Sequence, residues 1–498
     1  MAAGSLTVAC GDPTPPASER AETPYRLWIR TTGLVVNGGD TVRVGAILAD
    51  SAVTTYHEFP GSLSNPWPAG IRLRWWTSDP AIASIDTGSL LAAQRPGRVV
   101  VWVAVGAVED SGTVVVGAES GGSPVAHRGI GGGLFHTCAV DHAGGTRCWG
   151  SDFGGALGRG YLRNFTSAAL PGPVASEVTF RALAVGGGHA CGLTVGGAAY
   201  CWGGNQYGEL GDGTDGSAFS ETGGFGRPVP VAVLGGRTFA AVAAGGFHTC
   251  ALDENGQAFC WGWHGLGQLG VAPVQSPSDH RVTPTPVAGG LHFRRVGLAA
   301  LHSCGITTDS VTYCWGRNDR GQLGIDTAAT PAACGGGWRC AATPVVVNTP
   351  YRFSEVVGGS LHTCGLTAAG AAICWGDGSP VPTPVGGPPF VTLVAGAHHT
   401  CGLTAAGAAY CWGTNDDGQL GIGTVGGSEP SPRAVNTTVA FAALGAGVVH
   451  TCGIDAAGRA YCWGRNGHGR IGNGTVQAPN AVFRATVPTP VPVLHPLP

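Results

Sequence analysis

Apolar and polar side chains alternate with a period of two through most of this chain, which is the signature of strands with one buried face. In the N-terminal quarter Ile71, Leu73 and Trp75 share one side, and Val99, Val101, Val103 and Val105 do the same further on. His248-Thr249-Cys250-Ala251-Leu252 alternates likewise and runs into Asp253-Glu254-Asn255-Gly256, a hairpin turn. Ala258-Phe259-Cys260-Trp261 then returns antiparallel. Pro-flanked Val segments follow, as at Pro228-Val229-Pro230-Val231 and Pro490-Val491-Pro492-Val493. Proline suits an edge strand, where its missing N–H is not needed. The pattern predicts an all-β chain.

The same stretch recurs seven times, around His136, His189, His248, His302, His362, His399 and His450. Two residues after each His lies a Cys, twelve after a second Cys, and thirteen after a Trp followed by Gly. Nine before it lies Phe180, Phe239, Phe293, Phe353, Phe390 or Phe441, with His127 in the first copy. Six before it lies an aliphatic residue, from Ile130 to Leu444. Six copies continue into a turn like Gly267-Gln268-Leu269-Gly270. Each unit reads as four strands in about 50 residues, the size of a propeller blade. Such units close into a ring and so avoid long free edges.

The Gly-x-x-His…Leu…Gly…Trp-Gly-x-Asn-x-x-Gly-Gln-Leu-Gly pattern resembles the repeat family of the regulator of chromosome condensation, from about residue 124 to 498. The resemblance implies a seven-bladed β-propeller. Copy five departs from it: Trp375-Gly376 runs into Asp377-Gly378-Ser379-Pro380 and the Gly-Gln-Leu-Gly turn is lost.

Ahead of the repeats, Trp75-Trp76-Thr77-Ser78-Asp79-Pro80 with Ala83-Ser84-Ile85-Asp86, Gly88 and Gly97 resembles a bacterial Ig-like domain of group 2. Such domains serve as spacers or adhesive modules on exported proteins. The expected organisation is therefore a lipoprotein-type signal and Pro-rich tether over 1–24, a small Ig-like β-sandwich over 25–118, a linker over 119–123 (ESGGS ends it) and the propeller over 124–498. Leu6-Thr7-Val8-Ala9-Cys10-Gly11 resembles the end of a bacterial lipoprotein signal, with Cys10 as lipid acceptor, although the basic start and most of the apolar core are missing.

Seventeen cysteines change the picture of the compartment. Fourteen are the repeat pairs: Cys138 and Cys148, Cys191 and Cys201, Cys250 and Cys260, Cys304 and Cys314, Cys364 and Cys374, Cys401 and Cys411, Cys452 and Cys462. Cys334 and Cys340 make an eighth pair, and Cys10 is left over. Within a hairpin the two positions lie symmetrically about the turn, where a disulfide can bridge them. Eight disulfides predict an oxidising compartment, at the periplasm or cell surface. The competing reading is metal, since His-x-Cys and the cross-strand Cys offer three soft ligands per blade. A His repeated at one family position favours a packed structural role.

Charge excludes other classes. Acidic and basic residues make up 11% of the chain, the formal net charge is −3, no run of one sign occurs and every basic side chain other than His is Arg. Neither nucleic-acid steering nor a polybasic membrane patch is expected. Gly265-Gly267-Gly270 and Gly467-Gly469-Gly472 match a nucleotide-binding spacing but follow a hairpin with no helix after it. No zinc-protease or nucleophile-elbow motif occurs. No catalytic residue, metal or cofactor is predicted.

Binding is the better reading, because the segments after the Leu-Gly turn vary most between copies. That of copy two carries Phe219 and Phe225; that of copy four is longest and holds Trp338 and Arg339 between Cys334 and Cys340. The expected function is that of an exported, lipid-anchored, monomeric and non-catalytic binder of a protein or glycan. The alternatives are a secreted inhibitor of an enzyme, as in a β-lactamase inhibitor with similar repeats, and guanine-nucleotide exchange as in the family's founding member.

Overall fold

The computed structural model describes residues 127–494 except 161–166, 220–224, 273, 275, 331–333, 335–336 and 476–484, with no side-chain description at 218–219. In the N-terminal quarter it describes strand backbones between 25 and 117 and some side chains within 73–104. The chain divides into two compact units, 1–123 with the last residues, and 124–495.

Among the described residues the N-terminal unit forms three small sheets. Arg74–Thr77 pairs antiparallel with Gly97–Val105, which sets Trp76 opposite Trp102. Their rings stack at 6.0 Å and 3°. Val101 and Val103 are buried, as the alternation predicts, and Ala83 and Leu91 are buried beside other strands. Cys10, the 1–24 tether and the 119–123 linker lie outside the described residues.

The second unit is a ring of seven four-stranded antiparallel sheets, each made of consecutive strands. Blade 3 shows the plan. Ala241–Ala244 lies innermost, followed outward by His248–Leu252, Ala258–Trp263 and His280–Pro286. The Pro-rich segment takes the outer edge in every blade, as Pro requires. Blade 5 keeps all four strands although its third and fourth, Ala372–Gly376 and Ser379–Pro384, are joined by only two residues. The last blade is completed by its own strand, Thr486–Pro492, and the first by Ser167–Pro173. Among the described residues no strand is exchanged where the ring closes.

The apolar core lies between blades. In six blades the repeat Phe packs on the repeat Trp, with centroids 5.6–6.2 Å apart, as for Phe293 on Trp315 at 5.7 Å. Each such contact is worth about 0.5–1.5 kcal/mol beyond the area it buries. Glycine stands opposite the Phe in five blades, where a Cβ, as on Gly305, would lie 2.5 Å from the Phe293 ring; blade 3 carries Ala251 at that place. The paired cysteines stand directly across their hairpins with Cα–Cα distances of 4.0–4.1 Å, at disulfide distance. Cys334 and Cys340 are 6.0 Å apart by the same measure.

Candidate protein interface

The repeat His is a seam residue. His189, His248, His302, His362, His399 and His450 each place Nε2 2.7–2.9 Å from a hydroxyl of the next blade: Thr249, Ser303, Thr363, Thr400, Thr451 and Thr137. At five of these seams the hydroxyl donates its one proton to a carbonyl of the Gly-x-Leu-Gly turn, for example Thr249 to Glu209 O at 2.9 Å. The hydroxyl has no second proton, so His Nε2 must be the donor; burial disfavours the charged ring, which leaves Nδ1 bare. Burial lowers His189, His248, His302 and His399 to about 3, with neighbouring imidazoles, and Arg317 at His302, disfavouring the proton further. The same carbonyl accepts from the buried Trp of the next blade, as Trp261 Nε1 does at 2.9 Å.

Two seams depart. Blade 5 has no turn to offer a carbonyl to Thr400 and Trp412. Between blades 1 and 2, Ala190 stands where the hydroxyl belongs, and His136 Nε2 and Trp202 Nε1 are both buried without a hydrogen-bond partner.

These ties fix one face of the ring, where variable positions meet. The residue after each Trp-Gly donates its N–H to the carbonyl of the residue before the invariant His of the same hairpin, as in Trp263 to Phe247 at 2.9 Å. The two variable side chains are thus held together on every blade: Phe135 with Ser151, Gly188 with Gly204, Phe247 with Trp263, Leu301 with Arg317, Leu361 with Asp377, His398 with Thr414, Val449 with Arg465. The residue before the turn glycine of the previous blade joins them. Between blades 2 and 3 the group is wholly aromatic: Tyr207 lies 6.0 Å from Phe247 and 5.7 Å from Trp263, and Phe247 lies 6.1 Å from Trp263. Phe247 is 42% exposed. Trp263 Nε1 donates to Pro277 O at 2.8 Å, which fixes the indole. Between blades 1 and 2 the corresponding residues are Gly154, Gly188 and Gly204.

The copy-four loop adjoins the aromatic group. Cys334 and Cys340 pack on Leu266, with Trp263 and Leu301 against the same cluster. Trp338 is 46% exposed and lies 4.5 Å over the guanidinium of Arg317, which Asp319 holds at 2.8 Å. Arg339 donates Nη1 to Thr327 O at 2.6 Å, and its own carbonyl accepts from Asn318 N. Its guanidinium thus serves the loop as well as the surface. Phe225 belongs to another seam, 5.8 Å from Phe153 of blade 1. Phe219 ends a short 3-10 turn, Gly216–Phe219, and its side chain lies outside the described residues. Sequence reasoning missed Tyr207, Phe247 and Trp263. The signal was present: Phe247 directly precedes the invariant His248, Trp263 directly follows the invariant Trp-Gly, and Tyr207 directly precedes the turn glycine Gly208, and all three positions vary between copies.

The channel at the ring's axis holds a cavity of about 280 Å³, lined by small and aliphatic residues with Arg295 and Glu355 among them. Glu355 is engaged, its carboxylate accepting from Leu393 N at 3.0 Å and Thr392 Oγ1 at 3.3 Å.

Seven antiparallel sheets in a ring, tied at five of the seven seams by one His, one hydroxyl and one Trp, define a seven-bladed repeat propeller. The chain carries regulator of chromosome condensation (RCC1) repeats, matched at residues 196–252, 309–366 and 406–454 and, by a second description of the same repeat, at 180–209, 239–268, 390–419 and 441–470. It is similar to the RCC1 domain-containing protein RUG3, mitochondrial, of Arabidopsis thaliana, with 28% identity over 50% of this chain and 53% of that protein. It is also similar to the ultraviolet-B receptor UVR8 of the same plant, with 27% identity over 50% of this chain and 52% of that one. The chain spans about half the length of these curated relatives. Among solved structures, Prp20p of Saccharomyces cerevisiae shares the fold with a TM-score of 0.59 and 20% identity, over 74% of this chain and 88% of that one. Human WBSCR16 does so with 0.57 and 17%, over 76% and 97%.

Proposed function

We propose that this chain is a non-catalytic binding protein whose partner is another protein, engaged by the loop face over blades 2 to 4. The observation that carries the reading is the aromatic group of half-buried Tyr207 and Trp263 with exposed Phe247, beside the Cys334–Cys340 loop that displays Trp338. Aromatic and Arg side chains held rigidly supply most of the energy at protein interfaces. Rigidity limits the entropy lost on binding. The relatives support a binding role: Prp20p is described with binding properties to Gsp1p and histones.

The compartment is an oxidising one, by this reading, and the chain is an exported protein held to a membrane through an acyl group on Cys10, with the Ig-like unit as spacer. The cysteine pairs at disulfide distance support this. The test is capture from an envelope fraction with the full chain and with a Trp263→Ala, Trp338→Ala double variant of unchanged melting temperature. A protein retained by the parent and lost by the variant supports the reading; one retained equally by both overturns the assignment to this face. Cys10→Ser should release the protein from the membrane fraction, and retention of that variant would refute the anchor.

A further inference from the structure

Blades 4 and 7 carry an arginine at the same place, directly after Trp-Gly: Arg317 and Arg465. In blade 4 the residue two positions on is Asp319, whose two carboxylate oxygens take Arg317 Nε and Nη2. In blade 7 the residue two positions on is Gly467. Arg465 Nε is buried there with no hydrogen-bond partner, and the carboxylate across the seam, Asp417, stands 4.0 Å away.

A second guanidinium borders the same space. Arg470 is 1% exposed; its Nε donates to Gly467 O at 2.8 Å and its Nη1 to Leu134 O at 2.7 Å, and Nη2 takes part in neither bond. A Cβ built on Gly467 would lie 3.2 Å from Arg470 Nη2 and 3.6 Å from Arg465 Nε. The spot where blade 4 starts its acidic side chain therefore has, in blade 7, a cationic nitrogen on either side. Burial and then the Arg465 charge pull Arg470 down to about 10, with Asp417 acting the other way. His468, whose ring lies 5.3 Å from that of Phe135, is lowered by burial and then by Arg470 and Arg465. Two guanidiniums face one carboxylate, and the excess charge is positive.

We propose that blade 7 is a carboxylate-binding site, in which an acid from outside the chain takes the place that Asp319 fills in blade 4. The planar fork of Arg465 matches a carboxylate as Arg317 matches Asp319. The acid is supplied either as a small free carboxylate or as an acidic side chain of a partner. The site does not depend on the aromatic interface over blades 2 to 4 and is tested without any partner.

The probes are sodium acetate and the tripeptide acetyl-Gly-Asp-Gly-amide, each titrated into the full chain at constant ionic strength with chloride as the balancing anion. The expected result is a saturable rise in melting temperature with at least one probe. The rise should vanish in Gly467→Asp, whose own carboxylate fills the space, and in Arg465→Met, which removes the fork. A response to the peptide alone assigns the site to a partner's acidic side chain; a response to acetate of equal or greater size assigns it to a free acid. No response in the parent to either probe, or a response that survives in both variants, overturns the proposal. Arg465→Met keeps the test decisive should Gly467→Asp fail to fold.

Discussion

His248 Nε2 lies 2.8 Å from Ser303 Oγ, across the seam between blades 3 and 4, and Ser303 passes its own proton to Gln268 O at 2.9 Å. One serine thus joins a ring nitrogen of one blade to a turn carbonyl of that same blade from outside it. Removing the hydroxyl leaves His248 Nε2 buried and unpaired, while Gln268 O keeps its bond from Trp315 Nε1. Ser303→Ala should therefore lower stability by about 1–3 kcal/mol, measured as a shift in denaturant midpoint at constant m-value. A change within error would show that buried water replaces the hydroxyl at no cost.

The seam between blades 1 and 2 predicts the reverse. Ala190→Thr places a hydroxyl where His136 Nε2 and Trp202 Nε1 lack partners. A gain of about 1 kcal/mol is expected, read as a higher melting temperature, and a loss would mean that the seam has no room for the added atoms.

Acid should unfold the ring through its histidines. Their folded pKa is depressed, from the ordinary 6.5 to about 3 or 4, by burial first. At these groups the unfolded chain then binds more protons than the folded one between about 6.5 and 4, so the histidine contribution to stability falls as pH drops through that window and is level above it. Stability measured from pH 8 to 4 should bend near 6.5, and a flat profile down to pH 5 would contradict the neutral, Nε2-protonated tautomer.

Glu209 titrates with the opposite sign. It stands where Gln268, Gln322 and Gln419 stand in other blades, and burial raises it to about 8 against the hydrogen bond from Tyr207 N at 2.7 Å. The folded form holds its proton while the unfolded one has lost it, so stability falls as pH rises from about 4.5 to 8. Glu209→Gln should be neutral near pH 4 and stabilising at pH 8.5; equal effects at both values would mean the carboxyl ionises normally.

The cysteine pairs give a chemical prediction. Peptide mapping without reductant should recover Cys250 linked to Cys260, and likewise for the other pairs. Full reduction should lower the melting temperature, since a loop of this size contributes about 2–3 kcal/mol. Free thiols throughout would remove the argument for an oxidising compartment.

The His, Cys and Trp register was legible because seven copies within one chain check one another. So was the edge position of the Pro-Val strands. The cross-seam ties were not legible, although Thr137, Thr249, Ser303, Thr363, Thr400 and Thr451 all stand one place after the His. Alternation turns that place away from the His-side neighbours, and the bond it makes reaches another blade, up to 313 residues away in sequence. Attention to the long copy-four loop found Trp338 but passed over Phe247 and Trp263, single residues that look like noise inside an invariant motif until the hydrogen bond between them brings them together.

Each blade is complete in itself, down to the last, which ends in Thr486–Pro492. The stretch of gene that would be duplicated is then the same as the unit that folds. Where the ends meet, the ring is closed only by non-covalent contacts such as that of His450 with Thr137. The junctions between blades 2 and 3, 3 and 4, 4 and 5, and 6 and 7 make the same contact, so each would serve equally as a starting point. A gene reopened between two other blades, with the old ends joined, should encode the same ring.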